Sequence, residues 1–229
     1  MIVKHLKATP AALALAIADE LRAAIAARGR ATLAVSGGKS PIALFEQLRE
    51  QALDWAKVTV LLVDERCVAQ NHADSNTALV RQHLLQGAAA ASSFVTLFDS
   101  VPSELNDATL RALVDAANQR LSVLAFPLDV VVLGMGEDGH TASLFPAAPG
   151  LEEALTSPGP IAWVCPATAP HARLTFTLPV LLAARHVHLS LSGEKKLAVY
   201  EAAKQAANPA LPISLLLNNP ACTVQVWLS

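Results

Sequence analysis

Asp129-Val-Val-Val-Leu-Gly-Met-Gly-Glu-Asp-Gly-His140-Thr-Ala-Ser-Leu-Phe-Pro146 opens as an aliphatic, β-branched run and is then broken by three glycines. A short continuous apolar run bounded by turn residues reads as a buried strand. Glycines at its end allow the sharp backbone path and close ligand approach that a binding loop needs. Asp138 and His140 stand two residues apart in that loop. A carboxylate there can orient an imidazole, the side chain best suited to move protons near neutral pH. A rigid strand is thus expected to aim an acid–base group into a cleft, as in an enzyme.

Outward from this stretch, strand and helix signals alternate. Ala31–Val35 reads as a strand ending at Ser36-Gly37-Gly38-Lys39-Ser40-Pro41, with a helix over Ile42–Glu50. Val58–Val63 is a second buried strand, ending in Asp64-Glu65-Arg66. Asp74-Ser75-Asn76 reads as the cap of a helix through Leu85. Gly87–Ser93 reads as a loop, Val95–Phe98 as a strand, and Leu105–Ser122 as a long helix before the Val130–Leu133 strand. Further strands are expected at Ile161–Val164, His186–Ser192 and Thr223–Leu228, with a helix over Glu194–Ala206. At the N-terminus Thr9-Pro10 reads as a cap and first-turn proline, and Leu13, Ile17, Leu21 and Ile25 recur at intervals of four. An amphipathic helix fits this better than a signal peptide, because Asp19, Glu20 and Arg22 interrupt the apolar run.

Such alternation predicts an α/β fold: Rossmann-like and doubly wound, a mostly parallel sheet with helices on both faces, in one domain spanning residues 1–229. Ligands of such sheets bind beyond the carboxyl ends of the strands. Four polar clusters occupy that position: Ser36–Lys39, Asp64–Arg66, Gly134–His140 and Ser192–Lys196. Their convergence on one edge carries more weight than any single motif.

Composition narrows the class. With 53% hydrophobic residues the 229-residue chain has ample core material and is not expected to be disordered. A formal net charge of −2 provides no global field for nucleic acid or an acidic membrane, so a few local cations must hold any anionic ligand. Three widely spaced cysteines without a CxxC pair suit a reducing compartment, and a cytoplasmic protein is expected.

Each motif also has a plainer reading. Gly37-Gly38 could be only a tight turn, but free amides before a helix suit an anion. The run is no Walker A loop, since position 33 is leucine. Gly134-Met-Gly136-Glu-Asp-Gly139 matches GxGxxG, yet it lies deep in the chain, so a nicotinamide cofactor is not expected. Asp64-Glu65-Arg66 alone would read as a solvated turn, and its place at a strand end beside Asn76 argues for function. Arg173 could sit on a surface strand. Lys195 and Lys196 begin a helix against its dipole, which an anionic ligand would offset. Ser36 lacks a nucleophile elbow. His83, His171, His186 and His188 read as structural or exposed, and no second histidine lies at metal-ligand spacing near His140.

Taken together, Ser36-Gly-Gly-Lys-Ser-Pro41, Asp64-Glu-Arg66 with Asp74-Ser-Asn76, the Leu133–Pro146 stretch, Arg173-Leu-Thr175 and Gly193-Glu-Lys-Lys196 resemble the 6-phosphogluconolactonase family, in the family's order. The resemblance implies hydrolysis of 6-phosphoglucono-δ-lactone to 6-phosphogluconate, the second step of the oxidative pentose phosphate pathway. It also implies the fold shared with glucosamine-6-phosphate deaminases. Two positions depart from the family pattern: Ala69 stands where proline is usual, and Lys39-Ser40 replaces a small residue and threonine.

The expected site therefore has His140 and Asp138 for chemistry. Ser36, Gly37, Gly38, Lys39, Asp64, Arg66, Asn76, Gly136, Gly139, Arg173 and Lys196 are expected to contact substrate. Neither metal nor cofactor is expected. The partner is a phosphorylated sugar lactone, with no nucleic acid or membrane, and a monomer is expected. Two other classes fit the sequence less well. A deaminase of the same fold would carry Gly-His-Ile-Ala-Phe-Asn-Glu-Pro, whose glutamate assists ring opening, whereas here no acid follows His140 until Glu152. A non-catalytic regulator would need a DNA-binding module, and there is neither a basic patch nor spare length for one.

Overall fold

The computed structural model describes residues 1–229. Its first half runs β1 (Ile2–Leu6), α1 (Pro10–Arg28), β2 (Ala31–Val35), α2 (Ile42–Leu48), β3 (Val58–Leu62), β4 (Asp64–Arg66), α3 (Asn76–His83), β5 (Ser93–Val95) and α4 (Asp107–Leu121). The second half follows with β6 (Val130–Leu133), α5 (Leu151–Thr156), β7 (Ile161–Val164), β8 (Arg173–Phe176) and α6 (Leu178–Ala183). It ends with β9 (His186–Leu191), α7 (Glu194–Ala203), α8 (Ile213–Leu217) and β10 (Val224–Leu228).

Seven strands form one sheet in the order β1-β10-β9-β6-β2-β3-β5, and every neighbouring pair is parallel. The wholly apolar β6 at its centre follows from burial on both faces. Along β6, Val131 and Leu133 join a core cluster with α4, while Val130 and Val132 join the opposite cluster with α1 and α2. Helices thus cover both sides, as the doubly wound reading requires.

Chain order explains where a crevice opens. From β2 the chain moves outward through β3 to β5, then returns to place β6 on the other side of β2 and continues to β9. The loops leaving β2 and β6 therefore diverge, and a ligand can enter between them. The four strands β9, β6, β2 and β3 are contiguous, so the four polar clusters do share one edge.

Local signals largely survive. Thr9 caps α1, its hydroxyl accepting the Ala12 amide at 3.2 Å. Leu13, Ile17 and Leu21 are buried, each contributing about 1.5–3 kcal/mol, whereas Ile25 is only half-buried. The strand expected at Val95–Phe98 lies instead at Ser93–Val95, and Gly87–Ala91 forms a 3₁₀ turn. A second, antiparallel sheet, β4-β8-β7, has no counterpart in the reading of the sequence. His188 is fully buried, held between Glu20 (2.6 Å) and the Trp227 indole (2.9 Å), which confirms a structural role for it. No helix is long and apolar enough to cross a membrane.

Candidate active site

The crevice at the β2–β6 divergence encloses a cavity of about 240 Å³. Ser36 ties its two walls together: the Ser36 amide and hydroxyl both donate to the Val132 carbonyl (3.0 and 3.1 Å). The amides of Gly37 and Gly38 donate to no backbone carbonyl and border the cavity. Gly37 has no alternative, since a β-carbon there would fall 1.8 Å from Asn76 Oδ1.

The loop after β6 folds back on itself through Gly136 N–H to the His140 carbonyl (2.9 Å) and the Thr141 hydroxyl to the Gly134 carbonyl (2.8 Å). This presents His140 at the cavity with its Nδ1 2.5 Å from Asp138 Oδ1. Burial raises the Asp138 pKa, but the charge and hydrogen bonds of His140 outweigh it and hold the carboxyl below its ordinary value. An ionised carboxylate can only accept, so the proton of a neutral imidazole sits on Nδ1 and Nε2 keeps its lone pair. Gly136 makes room for the pair: a β-carbon would lie 2.2 Å from His140 Nδ1. Phe145 stacks on the imidazole at 3.9 Å and also lies under the Arg173 guanidinium at 4.7 Å. One buried ring thus orients both groups.

The second sheet supplies the cations. Antiparallel register sets Arg66 of β4 directly opposite Arg173 of β8. Like charges facing each other across strands repel. Arg173 is only 6% exposed, and both Nε atoms are buried without a partner. Burial disfavours the Arg173 charge; Asp64 counters, Arg66 adds to the penalty and Asp74 opposes it, leaving its pKa below the ordinary value. Two facing, under-bonded guanidiniums at a cavity wall are arranged for an anion. Lys196, half-buried near the start of α7, also lines the cavity.

Glu65 and Ser143 make this arrangement rigid. Glu65 is 2% exposed and accepts four hydrogen bonds, from the amides of Arg66 (2.7 Å), Asn76 (2.8 Å) and Thr77 (2.7 Å) and the Ser75 hydroxyl (3.0 Å). The Ser143 hydroxyl donates to Asp64 at 2.6 Å, joining the His140 loop to β4. The Asp64–Arg66 cluster and its pairing with Ser75-Asn76 were expected from the sequence, whereas Ser143 was not, because its partner Asp64 lies 79 residues away.

Of the expected residues, Ser36, Gly37, Gly38, Asp64, Arg66, Asn76, Gly136, His140, Arg173 and Lys196 line one cavity. Asp138 stands behind His140. Lys39 is exposed and off the lining, because the loop turns its side chain to solvent. Gly139 packs toward Leu211 instead of the cavity, and Lys195 pairs with Glu137 at 3.5 Å. Ser40, Ala142 and Ser190 line the wall without having been anticipated.

A hydrogen-bonded His–Asp pair in one cavity with paired arginines, at the divergence of a parallel α/β sheet, is an arrangement suited to small anionic ligands. Residues 5–227 match the family model described as glucosamine-6-phosphate isomerases/6-phosphogluconolactonase, and the chain belongs to that family. It is 44% identical over 214 residues to the 6-phosphogluconolactonase of Pseudomonas aeruginosa, covering 91% of this chain and 86% of that protein. With the 6-phosphogluconolactonase of Neisseria meningitidis the identity is 43% over 217 residues, covering 94% and 92%. The crystal structure of a 6-phosphogluconolactonase from Shewanella baltica superposes with a TM-score of 0.90 at 40% identity, over 100% of this chain and 97% of that one.

Proposed function

We infer that the protein hydrolyses 6-phospho-D-glucono-1,5-lactone to 6-phospho-D-gluconate, the lactonase step of the oxidative pentose phosphate pathway. The observation carrying this reading is His140, with its lone pair on Nε2, in the same cavity as Arg66, Arg173 and Lys196. The family and its lactonase relatives support the same substrate.

A lactone is an ester, so its hydrolysis needs an activated water, a stabilised oxyanion and a protonated leaving oxygen. His140 Nε2 takes a proton from water as the oxygen attacks the lactone carbonyl. Asp138 stabilises the imidazolium that forms. The tetrahedral oxyanion draws on the unpaired amides of the Gly37-Gly38 loop. As the intermediate collapses, the C1–O5 bond breaks and His140 returns its proton to the ring oxygen. Arg66 and Arg173 hold the phosphate through charge-assisted hydrogen bonds, with Lys196 alongside. The chemistry needs no Lewis acid, so dialysis against a chelator is expected to leave turnover intact. A kcat at saturating lactone lost on chelation and restored by one divalent metal would contradict this.

The alternative on the same fold is a deaminase, and separate assays distinguish the two. Supplied with glucosamine 6-phosphate, the protein is expected to release no ammonia. Supplied with the phosphorylated lactone, it is expected to open the ring. Ammonia release without lactone hydrolysis would reverse the assignment.

A further inference from the structure

Two loops at the rim of the cavity bring together His72, Asp74 and His171, and nothing in the proposed reaction uses their side chains. We propose that these three residues form a binding site for a single divalent transition-metal ion of the zinc type, which clips the two loops together.

One ligand atom from each residue lies within 4.8 Å of the other two. His171 Nε2 is 2.9 Å from Asp74 Oδ2, and His72 Nδ1 is 3.8 Å from the same oxygen. A tetrahedral zinc ion with bonds of about 2.0–2.1 Å sets neighbouring ligand atoms roughly 3.4 Å apart, so the separations found bracket the required one. Two imidazoles and a carboxylate are a borderline donor set that suits zinc, cobalt or nickel and not calcium or magnesium. The His72 and Asp74 side chains are 46% and 50% exposed, which leaves an entry path and an open fourth position for water.

Little rearrangement is needed. His72 Nδ1 already presents a lone pair, which accepts the Asp74 amide at 3.0 Å and must turn to the ion. His171 donates from Nε2 to Asp74 when neutral, so it must move its proton to Nδ1 to ligate through Nε2. Two internal hydrogen bonds are exchanged for three metal bonds.

The clip's position gives it an effect. The Asp74 carbonyl accepts Arg66 Nη1 at 2.6 Å, and the Pro170 carbonyl, adjacent to His171, accepts Arg173 Nη2 at 3.3 Å. An ion bridging Asp74 and His171, 97 residues apart, ties together the backbone carbonyls that hold both cavity arginines. The site is a stabilising staple beside the anion pocket and takes no part in the chemistry, so it stands independently of the lactonase reading.

The test uses the full chain, freed of metal with a chelator, desalted, and titrated calorimetrically with zinc chloride. One ion per chain is expected. At a zinc concentration about a hundred times the dissociation constant, the melting temperature is expected to rise by roughly 5–10 °C. Asp74→Asn and His171→Asn are each expected to weaken binding at least about tenfold; asparagine tolerates the positive φ of 70° at position 171. His83→Ala, which removes a histidine paired with Glu46 elsewhere, is expected to bind zinc as the wild type does. Absence of saturable binding by folded wild-type protein would overturn the proposal. So would equal binding by all variants. Either failure would leave lactone hydrolysis, measured separately, untouched.

Discussion

At the scale of single residues, burial and charge decide which groups react. Asp138 stays ionised beside His140 because the imidazole's charge and hydrogen bonds outweigh the cost of partial burial. Its depressed pKa has a direction: the Asp138 carboxylate persists through neutral pH and is lost only as pH falls through the folded value, below the ordinary carboxylate range. Cys67 shows the opposite case. Burial, with smaller contributions from the charges of Cys165 and Glu65, pushes its thiol up to about 12. At pH 8 almost no thiolate exists, so native protein is expected to leave Cys67 unmodified by iodoacetamide while denatured protein is alkylated there. Mass spectrometry of the labelled peptides decides this, and rapid native alkylation of Cys67 would contradict the burial account. Arg173 is the residue whose loss tests the proposed phosphate pocket. Arg173→Ala is expected to reduce kcat/KM on the phosphorylated lactone far more than on unphosphorylated glucono-δ-lactone. Equal losses on both would move Arg173 to the reacting end of the substrate.

At the scale of elements, β4 and α3 are welded by one carboxylate. Glu65→Gln keeps the shape but turns an acceptor of four hydrogen bonds into a group carrying its own N–H donors, which then face other donors. The expected cost is about 2–4 kcal/mol, seen as a fall in melting temperature of roughly 4–16 °C. An unchanged unfolding curve would show that the weld contributes nothing. The same element marks the limit of sequence reading. β2, β3 and β6 were legible because strands buried on both faces are almost wholly apolar, and the polar groups ending them stand out. The pairing of β4 with β8 was not legible, because three- and four-residue antiparallel strands depend on contacts more than a hundred residues away. Glu65 stood out with Asp64 and Arg66 through the nearby cap at Ser75-Asn76, but its burial as an acceptor of four hydrogen bonds depends on the β4–α3 packing, which residue identity does not specify. Lys39 sat in the right loop, but side-chain direction in a turn is set by backbone torsions that residue identity does not specify.

At the scale of the whole molecule, an all-parallel sheet reverses its strand order at β2 and β6, opening a crevice. A small second sheet brings the arginines to the same cavity as the His140 loop. In the proposed reaction the arginines hold the phosphate while His140 acts at the carbonyl, so binding energy from the phosphate can position the lactone carbonyl for attack. Unphosphorylated lactone should then be poorer by about two orders of magnitude or more in kcat/KM, since several charged hydrogen bonds of roughly 1.5–3 kcal/mol each are lost. The central claim is that His140, held by Asp138, drives hydrolysis of the phosphorylated lactone. Its most direct test is the progress curve of that lactone, generated in situ, with wild-type protein, with folded His140→Ala, and with buffer alone. Wild-type protein is expected to open the ring well above the spontaneous rate, and His140→Ala to turn over roughly 10²–10⁴-fold more slowly. A wild-type curve that tracks buffer, or a folded His140→Ala protein of near-normal turnover, would contradict the account.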